Sequence, residues 1–301
     1  VSIKANCDLP PGSTVTIHEL TGSASASDST LRIVHGNGGL ADTAEWDASG
    51  NLTMTSVGML RRGTYEAKFN MTNPATSQPS PSVMVRASVM SVFGDVSPVV
   101  TTTMIKKTEE LFGVHNGSSP LEVLVPTLEI KTVEQNTPLA AIINTITVSI
   151  KANCDLPPGS TVTIHELTGS ASASDSTLRI VHGNGGLADT AEWDASGNLT
   201  MTSVGMLRRG TYEAKFNMTN PATSQPSPSV MVRASVMSVF GDVSPVVTTT
   251  MIKKTEELFG VHNGSSPLEV LVPTLEIKTV EQNTPLAAII NTITVSIKAN
   301  C

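Results

Sequence analysis

Six asparagines carry the pattern Asn-x-Ser/Thr: Asn51, Asn70, Asn116, Asn198, Asn217 and Asn263. In a secreted eukaryotic chain this tripeptide accepts an N-glycan, a bulky group that demands a surface position. Each of the six falls in a predicted turn or on the outward parity of a predicted strand. Asn73 and Asn136 are disqualified by the prolines beside them, and the Ser/Thr clusters at 23–30 and 76–82 offer hydroxyls for O-glycans. The second candidate chemistry is that of three thiols, Cys7, Cys154 and Cys301. A lone cysteine on an apolar strand face reads first as a small buried hydrophobe. Two other uses stay open for it: a bond to a neighbouring chain, or a nucleophile.

Other polar residues lack the spacing that chemistry requires. His18, His35 and His115 stand apart, without the close pairs that bind zinc. Asp42, Glu45, Asp47 and Asn51 do not follow a calcium-loop pattern, and a hard cation needs six or more oxygens. The run His35-Gly-Asn-Gly-Gly39 lacks the Lys-Ser/Thr of a phosphate loop and has no helix behind it. There is no Gly-x-Ser-x-Gly elbow, paired-carboxylate motif or nucleotide fingerprint. The expectation is a protein that is not an enzyme and uses no cofactor and no metal.

The elements that hold these residues come in copies. Residues 1–147 recur letter for letter as 148–294, and 295–301 begin the same text a third time. Repeats of this kind build arrays, because equal units present equal, stackable geometry. The seven-residue overhang predicts a stretch of a longer periodic polymer. The net charge of −7 argues against nucleic acid and anionic membranes as partners, and no apolar run is long enough for a transmembrane span. Ser and Thr make up 35 residues of each 147, and with Val and Ile they favour strands over helices.

Short alternating runs predict the strands. They cover 1–7, 14–18, 31–34, 44–46, 52–55, 65–71, 83–89, 99–105 and 121–125, and residues 105–112 (IKKTEELF) read as one or two helical turns. Turn chemistry separates them, as in Asp8-Leu-Pro-Pro-Gly-Ser13 and Asp47-Ala-Ser-Gly-Asn51. Ala140, Ile142, Asn144, Ile146, Val148, Ile150, Ala152 and Cys154 share one parity, the core side. Trp46 and Tyr65, the only Trp and Tyr of a repeat, read as core anchors. About nine or ten strands with turns every 8–12 residues predict an all-β fold of tandem antiparallel β-sandwich repeats, immunoglobulin-like or jelly-roll-like.

The domain phase need not start at residue 1. Residues 127–133 read as an opening strand that leads into 144–154. On that phase 127–273 is a complete domain, 1–126 lacks its first strand, and 274–301 are opening strands with no domain after them. A surplus strand and a vacant slot describe donor-strand assembly. They equally describe a continuous polymer. The residues expected to form an inter-domain strand are Leu275, Ile277, Ile289, Ile293, Val295 and Ile297.

The run NTITVSIKANCDLPPGSTVTIHELTGS (144–170), followed by GTYEAKFNMTNPATSQPSPSVMVRAS (210–235), resembles tandem immunoglobulin-like or related β-sandwich repeats of very large cell-surface or fibril-forming proteins of microbial eukaryotes. The resemblance implies an extracellular, multi-repeat, non-enzymatic polypeptide, a filament such as a flagellar hair or surface fibril. The expected function is that of a structural glycoprotein whose domains build a filament or surface fibril with copies of itself. The alternative is an adhesin or carbohydrate-binding array, in which repetition supplies avidity.

Overall fold

The structure is a computed structural model that describes residues 1–35, 38–91, 93–97, 100–183, 185–238, 241–244 and 248–300. Gly36, Asn37, Val99 and Cys301, all part of the sequence expectations above, lie outside the described residues. The chain divides into two compact units, Val1–Val125 and Pro126–Cys301. Every regular element among the described residues is a β-strand, in keeping with short β-branched runs separated by Gly, Pro and Asn turns.

The first unit contains β1 (Ser2–Lys4), β2 (Thr14–His18), β3 (Asp28–Arg32), β4 (Val34–His35), β5 (Leu40–Asp47), β6 (Asn51–Ser56), β7 (Thr64–Lys68), β8 (Met84–Ser88) and β9 (Thr101–Thr103). Six of them form one sheet in the order β3-β5-β6-β2-β8-β9, and the second sheet has the order β1-β7-β4. Period-two alternation turns Val15, Ile17, Leu52, Met54 and Trp46 of the larger sheet inward to meet Ala67 of the smaller, which makes the unit a β-sandwich. Trp46 is buried, and its indole N–H donates to the Ser25 carbonyl at 3.2 Å, satisfying the one polar atom it carries inward.

The second unit contains β10 (Leu128–Gln135), β11 (Ile143–Ala152), β12 (Thr161–His165), β13 (Asp175–Arg179), β14 (Val181–His182), β15 (Thr190–Asp194), β16 (Asn198–Thr202), β17 (Thr211–Thr219), β18 (Met231–Ser235), β19 (Thr248–Thr250) and β20 (Ile252–Lys253). Its larger sheet, β13-β15-β16-β12-β18-β19, repeats that of the first unit. Its other sheet is wider, β14-β17-β11-β10-β20, and the β10–β20 contact is parallel, a departure from the all-antiparallel expectation. A final hairpin, β21 (Leu275–Gln282) with β22 (Ile293–Ala299), forms a two-stranded sheet of its own.

Two expected elements are corrected. Residues 105–112 form no helical turn. The Lys106 ammonium donates to the Ser80 and Pro81 carbonyls at 3.1 Å each, and the Ser119 hydroxyl donates to the Lys107 carbonyl at 2.6 Å. These contacts hold the segment extended, and in the second unit its counterpart becomes strand β20. Residues 121–125 form no strand either. Leu121 has φ of 56°, a left-handed turn that breaks the run, and only a single bridge, Gln78 to Val123, remains.

The β5–β6 turn is a three-residue loop closed by the Asp47–Asn51 pair, with Gly50 at φ 105°. A Cβ there would sit 3.0 Å from the Leu20 carbonyl carbon. Gly50→Ala is expected to destabilise the first unit by about 1–3 kcal/mol, since both φ and space oppose a side chain. Chemical denaturation followed by Trp46 fluorescence in a Trp193→Phe background measures the loss.

Candidate functional site

Residues 128–152 and 275–299 have the same sequence and the same hairpin register. Val133 faces Val148 in one, and Val280 faces Val295 in the other. Their surroundings differ completely. In the second unit β11 pairs with β17 over nine residue pairs, from Ile143–Thr219 to Lys151–Thr211. This seats the inward row in the core: Ile146 and Val148 are fully buried, and Val133 and Ile150 are 1% and 3% exposed. Burial of each such Val or Ile contributes about 1.5–3 kcal/mol. In β21–β22 the same row is bare, with Val280 71%, Val295 66% and Ile297 66% exposed.

The smaller sheet of the first unit is narrower. Among the described residues no strand stands in the place of β10, and β1, which repeats the sequence and register of Ser149–Lys151 in β11, covers Thr64–Glu66 of β7. β7 runs five residues, against nine for β17. Phe69, Met71 and Leu121 are half-buried there, whereas their counterparts Phe216, Met218 and Leu268 are buried. Ile105, whose counterpart opens β20, is fully exposed. An apolar groove of about 430 Å³ opens between β1 and the β8–β9 edge, lined by Ile3, Cys7, Tyr65, Val85, Ala87 and Val89. The gap at the corresponding Ile150, Cys154 and Tyr212 is about 10 Å³.

A buried amide network completes the occupied sheet. Asn144 Nδ2 donates to Gln135 Oε1 at 2.7 Å and to Asn220 Oδ1 at 2.8 Å. Gln135 Nε2 donates to the carbonyls of Gly264 and Glu269, both at 2.8 Å, and its Oε1 also accepts from the Leu268 amide at 2.7 Å. Asn220 Nδ2 donates to the Thr137 and Leu139 carbonyls at 3.1 and 2.8 Å. Within the isolated hairpin, Asn291 Nδ2 already donates to Gln282 Oε1 at 2.9 Å. Asn73, the counterpart of Asn220, is exposed in the first unit. The network does not follow from the sequence pattern, whose one signal is Asn144 as a polar residue in an otherwise apolar inward row.

On the outer face the Lys151 ammonium lies 2.9 Å from the Glu129 carboxylate, and Arg209 lies 3.2 Å from its other oxygen. Lys151, then Arg209, holds the Glu129 carboxyl below its ordinary value of 4.5. A depressed carboxyl pKa means that the clamp contributes fully above pH 4.5 and is lost as pH falls through the lower folded value. Acid titration of unfolding is therefore expected to show wild type losing stability below pH 4.5 more steeply than Glu129→Gln.

The six predicted inter-domain residues are all exposed in 275–299. Leu275, Ile293, Val295 and Ile297 correspond to the buried Leu128, Ile146, Val148 and Ile150, and Ile277 to the half-buried Ile130. Ile289 does not fit the set: its counterpart Ile142 stays 42% exposed beside the seated hairpin, because it precedes the strand. Val280 belongs in its place.

The sequons fall in three settings. Asn51 and Asn198 are half-buried at turns, where each side-chain oxygen lies 3.0 Å from a histidine Nδ1, of His18 and His165. Asn70 and Asn217 are exposed, and Asn116 and Asn263 are half-buried with φ of 57°.

Cys7 and Cys154 carry free thiols, Cys7 exposed and Cys154 buried. Burial first, then the Asp155 carboxylate, pushes the Cys154 thiol up to about 11. An acid pKa raised by folding means stability is intact below pH 9, the ordinary thiol value, and falls as pH rises from there towards 11. In a Cys301→Ser chain, iodoacetamide at neutral pH is expected to alkylate Cys7 in the native state and to reach Cys154 only after denaturation; intact mass showing one label before and two after checks this. Among the described residues no group of three or more His, Cys, Asp or Glu is placed to hold a metal. No described helix is long and apolar enough to cross a membrane.

No protein-family profile matches the chain, and no curated protein matches it. Among solved structures, the chain is similar to a type II cohesin dyad from the adaptor ScaA scaffoldin of Acetivibrio cellulolyticus, at 9% identity and a TM-score of 0.25, over 80% of this chain and 88% of that one.

Proposed function

We propose that this protein is a structural, non-enzymatic extracellular glycoprotein, akin to the tandem sandwich repeats of large cell-surface proteins of microbial eukaryotes, whose β-sandwich units build a filament or surface fibril by sharing strands between neighbours. One observation carries the reading: the β10–β11 hairpin, which spans the boundary between two exact sequence repeats, is seated in the five-stranded sheet of the second unit with its inward row buried. A hairpin seated across a repeat boundary joins one repeat to the next through ladder hydrogen bonds and apolar burial. Exact repetition then gives every joint the same geometry.

Electron microscopy of native material tests this. A uniform fibre with an axial step on the order of 30–50 Å, the length of one sandwich of roughly ten-residue strands, is the expected result. Separate flexible beads would overturn it. The glycoprotein part has its own check in a secretory eukaryotic host. Asn70→Gln with Asn217→Gln is expected to abolish most of the mobility shift produced by a peptide-N-glycosidase, since these two sequons are the exposed pair. Equal shifts in the double variant and wild type would rule these positions out as the carriers.

A further inference from the structure

We infer that the outer face of each six-stranded sheet is a self-association surface, which pairs two copies of this chain side by side through reciprocal Glu–Arg contacts: Glu45 with Arg86, and the identical Glu192 with Arg233. This lateral contact goes beyond the strand-sharing reading and does not depend on how the repeats join end to end.

The alternation that turns Val15, Ile17, Leu52 and Met54 inward turns Thr14, Thr16, Thr53 and Thr55 outward. Strand register sets the middle row of this face. Glu45 faces Thr53, Thr53 faces Thr16, and Thr16 faces Arg86. The second unit repeats the row as Glu192, Thr200, Thr163 and Arg233. The two threonine hydroxyls at its centre are hydrogen-bonded to each other, at 3.2 Å in one unit and 3.3 Å in the other. These short, mutually bonded side chains leave the long Glu and Arg standing above the centre of the row.

The end charges are exposed, and Glu45, Arg86, Glu192 and Arg233 have no ion-pair partner among the described residues. Glu45 and Arg86 stand three strand spacings apart, about 14 Å, too far to satisfy each other. A two-fold axis along the strands, between β6 and β2, reverses the order of the row in a second copy. Glu45 then meets Arg86 of the second copy, Arg86 meets its Glu45, and Thr16 meets its Thr53. Sheets stacked face to face lie about 10 Å apart, a gap that one Glu and one Arg side chain span together. An axis across the strands would set Glu on Glu, so the charge order admits one orientation.

Other occupants fit the row less well. It holds no aromatic ring for a sugar, its opposite charges cancel for a polyion, and it offers no apolar side chain to a hydrophobic partner. Exposed ion pairs contribute little one at a time, so side-by-side pairing gains strength by repetition along the chain. The sequons leave the face open. Asn217 lies on β17 of the other sheet. Asn51 and Asn198 border the row, but each is held within its turn, where Nδ2 donates to Ser49 Oγ at 3.2 Å and to Ser196 Oγ at 3.0 Å.

The test is charge exchange on the whole chain, read by sedimentation at low ionic strength. Wild-type chains are expected to associate, and to do so more weakly at about 1 M salt, where charges are screened beyond about 3 Å. Glu45→Arg with Glu192→Arg sets like charges on like, and so, separately, does Arg86→Glu with Arg233→Glu. Each pair of changes is expected to weaken self-association at least about tenfold. All four positions are exposed, so both variants are expected to keep the wild-type melting profile. An equal mixture of the two variants restores opposite pairs and is expected to associate as wild type does.

Wild-type chains that stay monomeric overturn the inference. So does association that either variant leaves unchanged, or a mixture that associates no better than its components. A glycan found on Asn51 or Asn198 of native material would cover the row and overturn it as well. The end-to-end fibre is read separately, by electron microscopy, and survives each of these outcomes.

Discussion

Val148→Asp is expected to abolish the cooperative unfolding of the second unit's five-stranded sheet, whereas Val295→Asp leaves thermal unfolding unchanged. The two valines have the same neighbours in sequence for dozens of residues on the N-terminal side, so no local propensity distinguishes them. Val148 is fully buried between Val133 and Ala214, and Val295 is 66% exposed. A carboxylate at position 148 meets no cation in that row, and an uncompensated buried charge costs about 3–5 kcal/mol or more. That is a large part of the 5–15 kcal/mol that stabilises a typical domain. At position 295 the charge stands in water, where substitutions stay within about 0.5 kcal/mol. Each unit has one buried tryptophan, Trp46 and Trp193, so fluorescence in Trp46→Phe and Trp193→Phe backgrounds follows the units one at a time. A Val148→Asp chain melting like wild type in its Trp193 signal would show that β11 does not hold the sandwich together.

The comparison also explains what could be read from the sequence. The alternation Tyr65, Ala67, Phe69, Met71 names the inward face correctly in both copies, since parity is fixed by the backbone. It does not give the degree of burial. Phe69 is half-buried and Phe216 buried because one lacks and the other has a strand beside it. Residues 105–112 look helical in their charges, but Lys106 and Lys107 find tertiary partners that hold the chain extended. The 121–125 run has the composition of a strand, but the left-handed turn at Leu121 is a three-dimensional decision made by Gln78, whose amide donates to the Leu121 carbonyl at 3.0 Å. Asn144 was legible as an anomaly in an apolar row. Its meaning was not, because Asn220 and Gln135 lie 76 and 9 residues away in sequence and meet it only in the folded sheet.

Asn220 gives the second large expected effect. Asn220→Ala is expected to destabilise the second unit by about 2–4 kcal/mol, and Asn73→Ala, the same change one repeat earlier, by no more than about 0.5 kcal/mol. Asn220 is fully buried. It donates to two carbonyls, of Thr137 and Leu139, and accepts from Asn144. Truncation would leave the Thr137 and Leu139 carbonyls and one Asn144 N–H without their partner, and an unsatisfied buried group costs more than a made hydrogen bond contributes. Asn73 is exposed, and its removal strands nothing that solvent cannot satisfy. The two carbonyls belong to the turn between β10 and β11, so loss of Asn220 acts on the hairpin's seating rather than on the six-stranded sheet. Denaturant titration should therefore show a lower midpoint for the Trp193 transition at nearly constant slope, and no change in the Trp46 transition. Double-mutant cycles with Asn144→Ala would give a coupling of at least about 1 kcal/mol if the amides act as one network. Additive losses would mean that the hairpin is held by its apolar row alone and that the amides only fill space.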